Sequence, residues 1–201
     1  MARRILVLFA HPMLERSRVN RRLVEGITGL DGVTIHDLYE CYPTMAIDTD
    51  REKALLVEHD AIVLQHPFYW YSAPAIMKEW LDLVLELGWA YGPGGTALRG
   101  KVMMNAITTG GGHDAYHRDG YNRFTMRELL APFDQTAHLC GMRYLAPFVV
   151  HGALRLADDG ELREHVAEYR RLIVALRDDR IDLKRAAAAA TLHGFELGGA
   201  T

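Results

Sequence analysis

A chain of 201 residues with 49% apolar and 24% charged side chains is long enough for one ordinary domain and apolar enough to build its core. Its formal net charge of −3 excludes the basic footprint of a nucleic-acid or anionic-membrane binder. Its two cysteines, Cys41 and Cys140, form neither a CxxC metal site nor a disulfide framework, which suits a reducing compartment.

The first apolar run, Ile5 to Ala10, is too short to cross a membrane, and no small-residue cleavage pattern follows it. It reads as a strand buried on both faces of a parallel sheet, and the protein as cytoplasmic. A helix is predicted from Ser17 to Gly29, with Val19, Leu23, Val24 and Ile27 on one stripe, Ser17 as N-cap and Gly29 as stop. Val33 to Leu38 is a weaker strand, Asp50 to His59 a short amphipathic helix, and Ala61 to Gln65 a third, buried strand. Pro74 to Gly88 is the clearest helix, opened by proline and closed by glycine. Lys101 to Thr108 is a fourth strand. A polar stretch, Gly110 to Gly120, leads into a helix over Arg123 to Cys140, broken near Pro132. Arg143 to Val150 is a fifth strand, and a charged helix over Asp159 to Arg177 closes the fold.

Alternating strands and helices imply an α/β fold: a five-stranded parallel sheet with helices on both faces, here expected in the order 2-1-3-4-5. The ligand crevice of such a sheet lies at the carboxyl ends of strands 1, 3 and 4. The tail 181–201 favours helix through its run Ala186 to Ala190 but offers little to bury, so a loosely attached helix or a disordered end is expected after a single domain over 1–180.

The loops at those three strand ends carry the chemistry. His11-Pro12 is followed by Ser17, Arg18, Val19 and Asn20 at a helix start, where free backbone N–H groups suit a phosphate. Equally, Ser17 can serve only as a cap and His11 only fill a turn. Pro67, Phe68, Tyr69, Trp70 and Tyr71 put four consecutive aromatics on a loop, a wall for a flat heteroaromatic ring or else a satellite cluster or dimer contact. Thr108, Thr109, Gly110, Gly111 and Gly112 let backbone approach a ligand closely. Neither G-x-G-x-x-G nor a P-loop is present. His113 and His117 stand four apart, but the preceding glycines and the missing H-E-x-x-H glutamate argue against a metal.

The combination His11-Pro, Ser17-x-x-Asn20, His66-Pro67-Phe-Tyr-Trp70-Tyr71 and Thr108-Thr-Gly-Gly-Gly112 resembles the NAD(P)H:quinone dehydrogenase family of the flavodoxin-like superfamily. Trp89-Ala-Tyr-Gly92 with Gly94 to Leu98 and Gly100-Lys101 is similar to its bacterial branch, which includes ancillary flavoproteins of glutathione-regulated potassium-efflux systems. The likeness spans about residues 4–175. It implies a flavin, FMN or alternatively FAD, held by His11, Ser17 to Asn20, Phe68 to Tyr71 and Thr109 to Gly112, with NAD(P)H as co-substrate. It also implies a homodimer and ping-pong hydride transfer to a quinone. A tyrosine and a histidine face substrate in the family's animal members. Tyr116 matches the tyrosine, whereas Asn122 stands where the histidine would be, leaving His113 or His117 as substitutes. Two other roles stay open: a regulatory subunit of a potassium-efflux transporter, peripheral at the inner membrane, and a one-electron carrier, which the modest net charge supports little.

Overall fold

The computed structural model describes residues 2–156 and 159–196. Its strands are β1 (Ile5–Phe9), β2 (Val33–Asp37), β3 (Ala61–Pro67), β4 (Val102–Thr108), β5 (Arg143–Tyr144) and β6 (Phe148–Val150). All pair in parallel in the expected order β2-β1-β3-β4-β5, with β6 continuing beside β4. Every residue of β1, β3 and β4 is buried, which is why these strands read as unbroken apolar runs.

Side-chain alternation divides the interior in two. Leu6, Leu8, Ile62, Leu64, Met103 and Ile107 face α2 (Leu38–Cys41), α3 (Thr49–Glu58), α4 (Ala75–Val84), α5 (Met126–Leu129) and α6 (Ala131–Leu139). Ile5, Val7, Ala61, Val63, Val102 and Met104 face α1 (Arg18–Ile27), α7 (Asp159–Arg177) and α8 (Leu183–Ala188). Each fully buried leucine or isoleucine among them stabilises the fold by about 1.5–3 kcal/mol.

Several boundaries differ from expectation. The fifth strand is interrupted. Met103 pairs with Tyr144 and Ala106 with Phe148, so Leu145, Ala146 and Pro147 stand opposite only Met104 and Asn105. One extra residue makes this a bulge, and Pro147 has no N–H with which to continue the ladder. α4 stops at Val84 rather than Gly88, because buried Ala90 and Leu98 draw the chain back into a loop closed by Gly88 N–H to Tyr91 O (2.8 Å). α3 starts at Thr49 because Asp48 accepts from Arg51 N–H. α5 starts at Met126 because Thr125 and Glu128 form a capping box.

The tail is not loose as far as Glu196. Ile181, Ala186 and Leu192 are buried, Ala146 N–H donates to Ala186 O (3.0 Å), and Leu192 N–H donates to Pro147 O (2.8 Å). Alanines bury little area but let backbones approach closely, and here they bring the last helix onto the bulge. Residues 197–201 of the expected tail lie outside the described residues.

Below the strand ends, His66 is fully buried. Its Nδ1 lies 3.0 Å from Pro67 O and its Nε2 3.0 Å from Asn105 Nδ2, while Tyr144 O–H donates to Asn105 Oδ1 (2.6 Å). Burial pushes the imidazole down from 6.5 to about 4, so the neutral ring donates from Nδ1 and accepts at Nε2. Between those two values the unfolded chain binds a proton that the folded chain refuses, so stability falls as pH falls through that window. Thermal melting followed from pH 7 to pH 4 is expected to show this fall, with a shallower slope in His66→Gln. An unchanged slope in that variant would remove His66 as the cause.

Candidate functional site

Strand ends and helix starts converge where expected. α1 begins beside β1, and Ser17 caps it by accepting from Asn20 N–H. That leaves the N–H groups of Arg18 and Val19 at the open end of a ten-residue helix, where its dipole favours an anion. The first turn is pinned to the sheet, with Asn20 Nδ2 donating to Thr108 Oγ1 (2.9 Å). Asn20 Oδ1 is buried without a hydrogen-bond partner among the described residues.

The aromatic loop after β3 is strained. Phe68 N–H is held by Thr108 O (2.8 Å), and Trp70 and Tyr71 then adopt left-handed φ values of 49° and 62°. Two bulky residues in that region cost about 1–3 kcal/mol each, a cost that clusters at ligand sites. Trp70 is 92% exposed. The glycine loop after β4 is anchored by Thr109 N–H to Val150 O (2.9 Å) and by Gly152 N–H to Gly111 O (2.9 Å).

Two adjoining hollows result, sharing Phe68. The larger, about 530 Å³, has His11, Ser17, Arg18, Val19 and Asn20 on one wall. Pro67, Phe68, Tyr69, Thr108, Thr109 and Gly110 complete it, together with Met13, Arg16, Ala153, Leu154 and Leu156. The smaller, about 320 Å³, is lined by Phe68, Trp70, Tyr71, Gly111, Ala115, Tyr116, Tyr121 and Asn122. Gly112 lines neither and instead precedes the single turn His113–Ala115.

Tyr116 lines the smaller hollow, whereas His113 and His117 line neither. The Tyr116 ring lies 6.4 Å from Phe68, and burial raises its phenol above the ordinary value. His113 and His117 are exposed and, like His151, line neither hollow, and the His113 ring packs edge-on against His151 with centroids 5.3 Å apart. The histidine beside Tyr116 is His151, with ring centroids 5.3 Å apart. Thr109 O–H donates to Gly111 O (2.8 Å), so Thr109 Oγ1 accepts from His151 Nδ1 (3.2 Å). Burial pushes His151 down to about 4, keeping it neutral. His151 follows β6 directly, so the rule that selected the other three loops, applied to the fifth strand, would have found it.

The loop containing Trp89, Gly92, Gly94 and Leu98 lies where β4 begins, at the opposite end of the sheet, and packs Ala90 and Leu98 into the core. It plays a structural part.

Residues 3–173 match the model of the Flavodoxin-like fold family. The chain belongs to that family. Among curated members, this flavodoxin-like chain is 51% identical over 156 residues to the glutathione-regulated potassium-efflux system ancillary protein KefG of Pectobacterium carotovorum subsp. carotovorum (strain PC1), covering 78% of this chain and 85% of that one. Among solved structures it is similar to general stress protein 14 of Treponema denticola in complex with FMN (35% identity, TM-score 0.80, 86% of this chain and 99% of that one). It is also similar to an NADPH-quinone reductase from P. pentosaceus (31% identity, TM-score 0.77, 84% and 96%). A chain described as a thermophilic tryptophan halogenase from "Streptomycin violaceusniger" matches as well (46% identity, TM-score 0.81, 84% and 98%). No helix among the described residues is long and apolar enough to cross a membrane.

Proposed function

We propose that the chain is an FMN-dependent NAD(P)H:quinone oxidoreductase of ping-pong type. The observation that carries this reading is one continuous site built from an anion-suited helix start, an orphaned amide oxygen, a strained aromatic turn and a glycine loop. Bound FMN would take a hydride from NAD(P)H and pass two electrons to the quinone. Arg16, Arg18 and the start of α1 suit its phosphate, and Asn20 Oδ1 offers an acceptor to a hydroxyl of its side chain. Pro67 to Tyr71 and Thr109 to Gly111 suit its ring. The FMN complex of the Treponema denticola relative favours FMN over FAD.

Tyr116 then supplies the proton that converts hydride-reduced quinone into hydroquinone. His151, rather than His113 or His117, orients the site beside it through Thr109. The exposed Trp70, Tyr121 and Leu154 suit a homodimer in which a second copy closes each site.

The purified protein, mixed with FMN under anaerobic conditions, is expected to bind the flavin, bleach with NADPH and recover colour with menadione. Arg18→Glu is expected to weaken FMN at least about tenfold and riboflavin hardly at all, because only FMN carries a phosphate. A protein that binds neither FMN nor FAD would sink the reading.

The KefG likeness favours a second reading, a cytoplasmic ancillary subunit docked on a potassium-efflux transporter at the inner membrane. The flavin site is compatible with it. Co-purification with such a transporter, in the presence and absence of FMN, tests it directly.

A further inference from the structure

On the face of the sheet covered by α7, three ligand-type atoms converge away from both hollows. They come from His165 and Glu168, three apart on α7, and from His193 in the last segment of the chain. His165 Nδ1 is 2.7 Å from His193 Nε2, which is 3.1 Å from Glu168 Oε2, and all three lie within 4.8 Å of one another. We propose that His165, Glu168 and His193 form a binding site for a divalent cation of the zinc class.

The hydrogen-bond arithmetic is what points to a cation. His193 Nε2 has one in-plane direction, and it faces both another ring nitrogen and a carboxylate oxygen. A proton on Nε2 can serve one of them in line and not both. A metal ion between the three atoms satisfies all of them at once. Two imidazoles and a carboxylate are a donor set suited to zinc, with a water completing the tetrahedron.

The surroundings orient each ligand. Glu161 Oε1 lies 3.8 Å from the far nitrogen of His165, a placement that favours the proton there and leaves Nδ1 free to coordinate. Gly194 N–H occupies Glu168 Oε1, which leaves Oε2 for the ion. The His193 ring stacks on Phe148 at 5.4 Å between centroids, which fixes its plane. Zinc–nitrogen bonds of about 2.0–2.1 Å in a tetrahedron set two nitrogens about 3.3 Å apart, so the rings open by about 0.6 Å on binding. His193 belongs to a surface segment, which can make that adjustment.

Bound metal would fasten the chain's last segment to α7. The test is titration of the metal-free full chain with Zn²⁺, read by calorimetry and by melting temperature. One equivalent is expected to bind and to raise the melting temperature progressively with Zn²⁺ concentration. His193→Gln and Glu168→Gln are each expected to weaken binding at least about tenfold, with unchanged circular dichroism, since even outer partners of metal ligands carry effects of that size. His138→Gln, on an exposed face of α6, should leave zinc affinity unchanged. No binding by the wild-type chain overturns the proposal, and so does binding that survives in both His193→Gln and Glu168→Gln.

Discussion

Tyr116→Phe is expected to lower kcat for menadione reduction about 10²-fold, the low end for losing a positioned proton donor. The substitution removes only the hydroxyl. The ring keeps its packing against Phe68 and His151 (6.4 and 5.3 Å between centroids), so FMN affinity and kcat/KM for NADPH should stay within about threefold, the KM for NADPH falling with kcat. The phenol carries its proton at neutral pH, as a tyrosine does, and burial raises its value further. It also lines the hollow that holds Trp70 and Tyr71, where a flat acceptor would stack. Stopped-flow mixing of the flavin-loaded variant separates the two halves of the reaction: reduction by NADPH should be unaffected and transfer to quinone slowed. Rates unchanged from wild type in both halves would remove Tyr116 from the chemistry while leaving the proposed flavin site standing.

The largest expected loss of stability comes from Glu52→Ala, far from the site. Glu52 is fully buried between α3 and the sheet. Its carboxylate accepts from Trp80 Nε1–H (2.8 Å) and Tyr42 O–H (2.5 Å) and pairs with His36 Nε2 (2.8 Å). Burial alone would push the carboxyl up, yet the donors around it outweigh that effect and hold it below the ordinary range. Truncation strands those buried donors and opens a cavity. Removing one partner of a buried pair costs about 3–5 kcal/mol. In a chain of this size each kcal/mol lowers the melting temperature by about 2–4 °C, so a fall of about 10 °C is expected. The depressed pKa gives the sign with pH: this stabilisation is present above the unfolded carboxyl value and is lost as pH falls through the folded one. A fall of less than about 3 °C would show that the network is dispensable.

What could be read in advance depended on how local each determinant is. β1, β3 and β4 announce themselves because burial on both faces demands apolar residues at every position. α7 runs over Asp159–Arg177 as its charged stripe predicts. The fifth strand misled because its interruption is set by pairing with β4, which composition does not reveal. Glu52 looks like any helix-surface glutamate until Trp80 and Tyr42 arrive from other parts of the chain. At the site, loop composition picked out most of the residues that line the two hollows. The histidine beside Tyr116 was harder, because which of several lies near is decided by where β6 ends, not by nearness in sequence.

The interruption between β5 and β6 has a bearing on solubility. These two strands form one rim of the sheet, and a rim offers unsatisfied N–H and C=O groups to any passing extended chain. Here the rim is interrupted at Pro147, and two of the groups at that break are taken up from within: Ala146 N–H by Ala186 O, and Pro147 O by Leu192 N–H and Thr191 O–H. The segment after α7 therefore blunts the point where this rim is broken, one of the ways an edge strand is kept from pairing with another chain. A chain shortened before α8 would keep the loops at the strand ends and expose the break in this rim to its own kind.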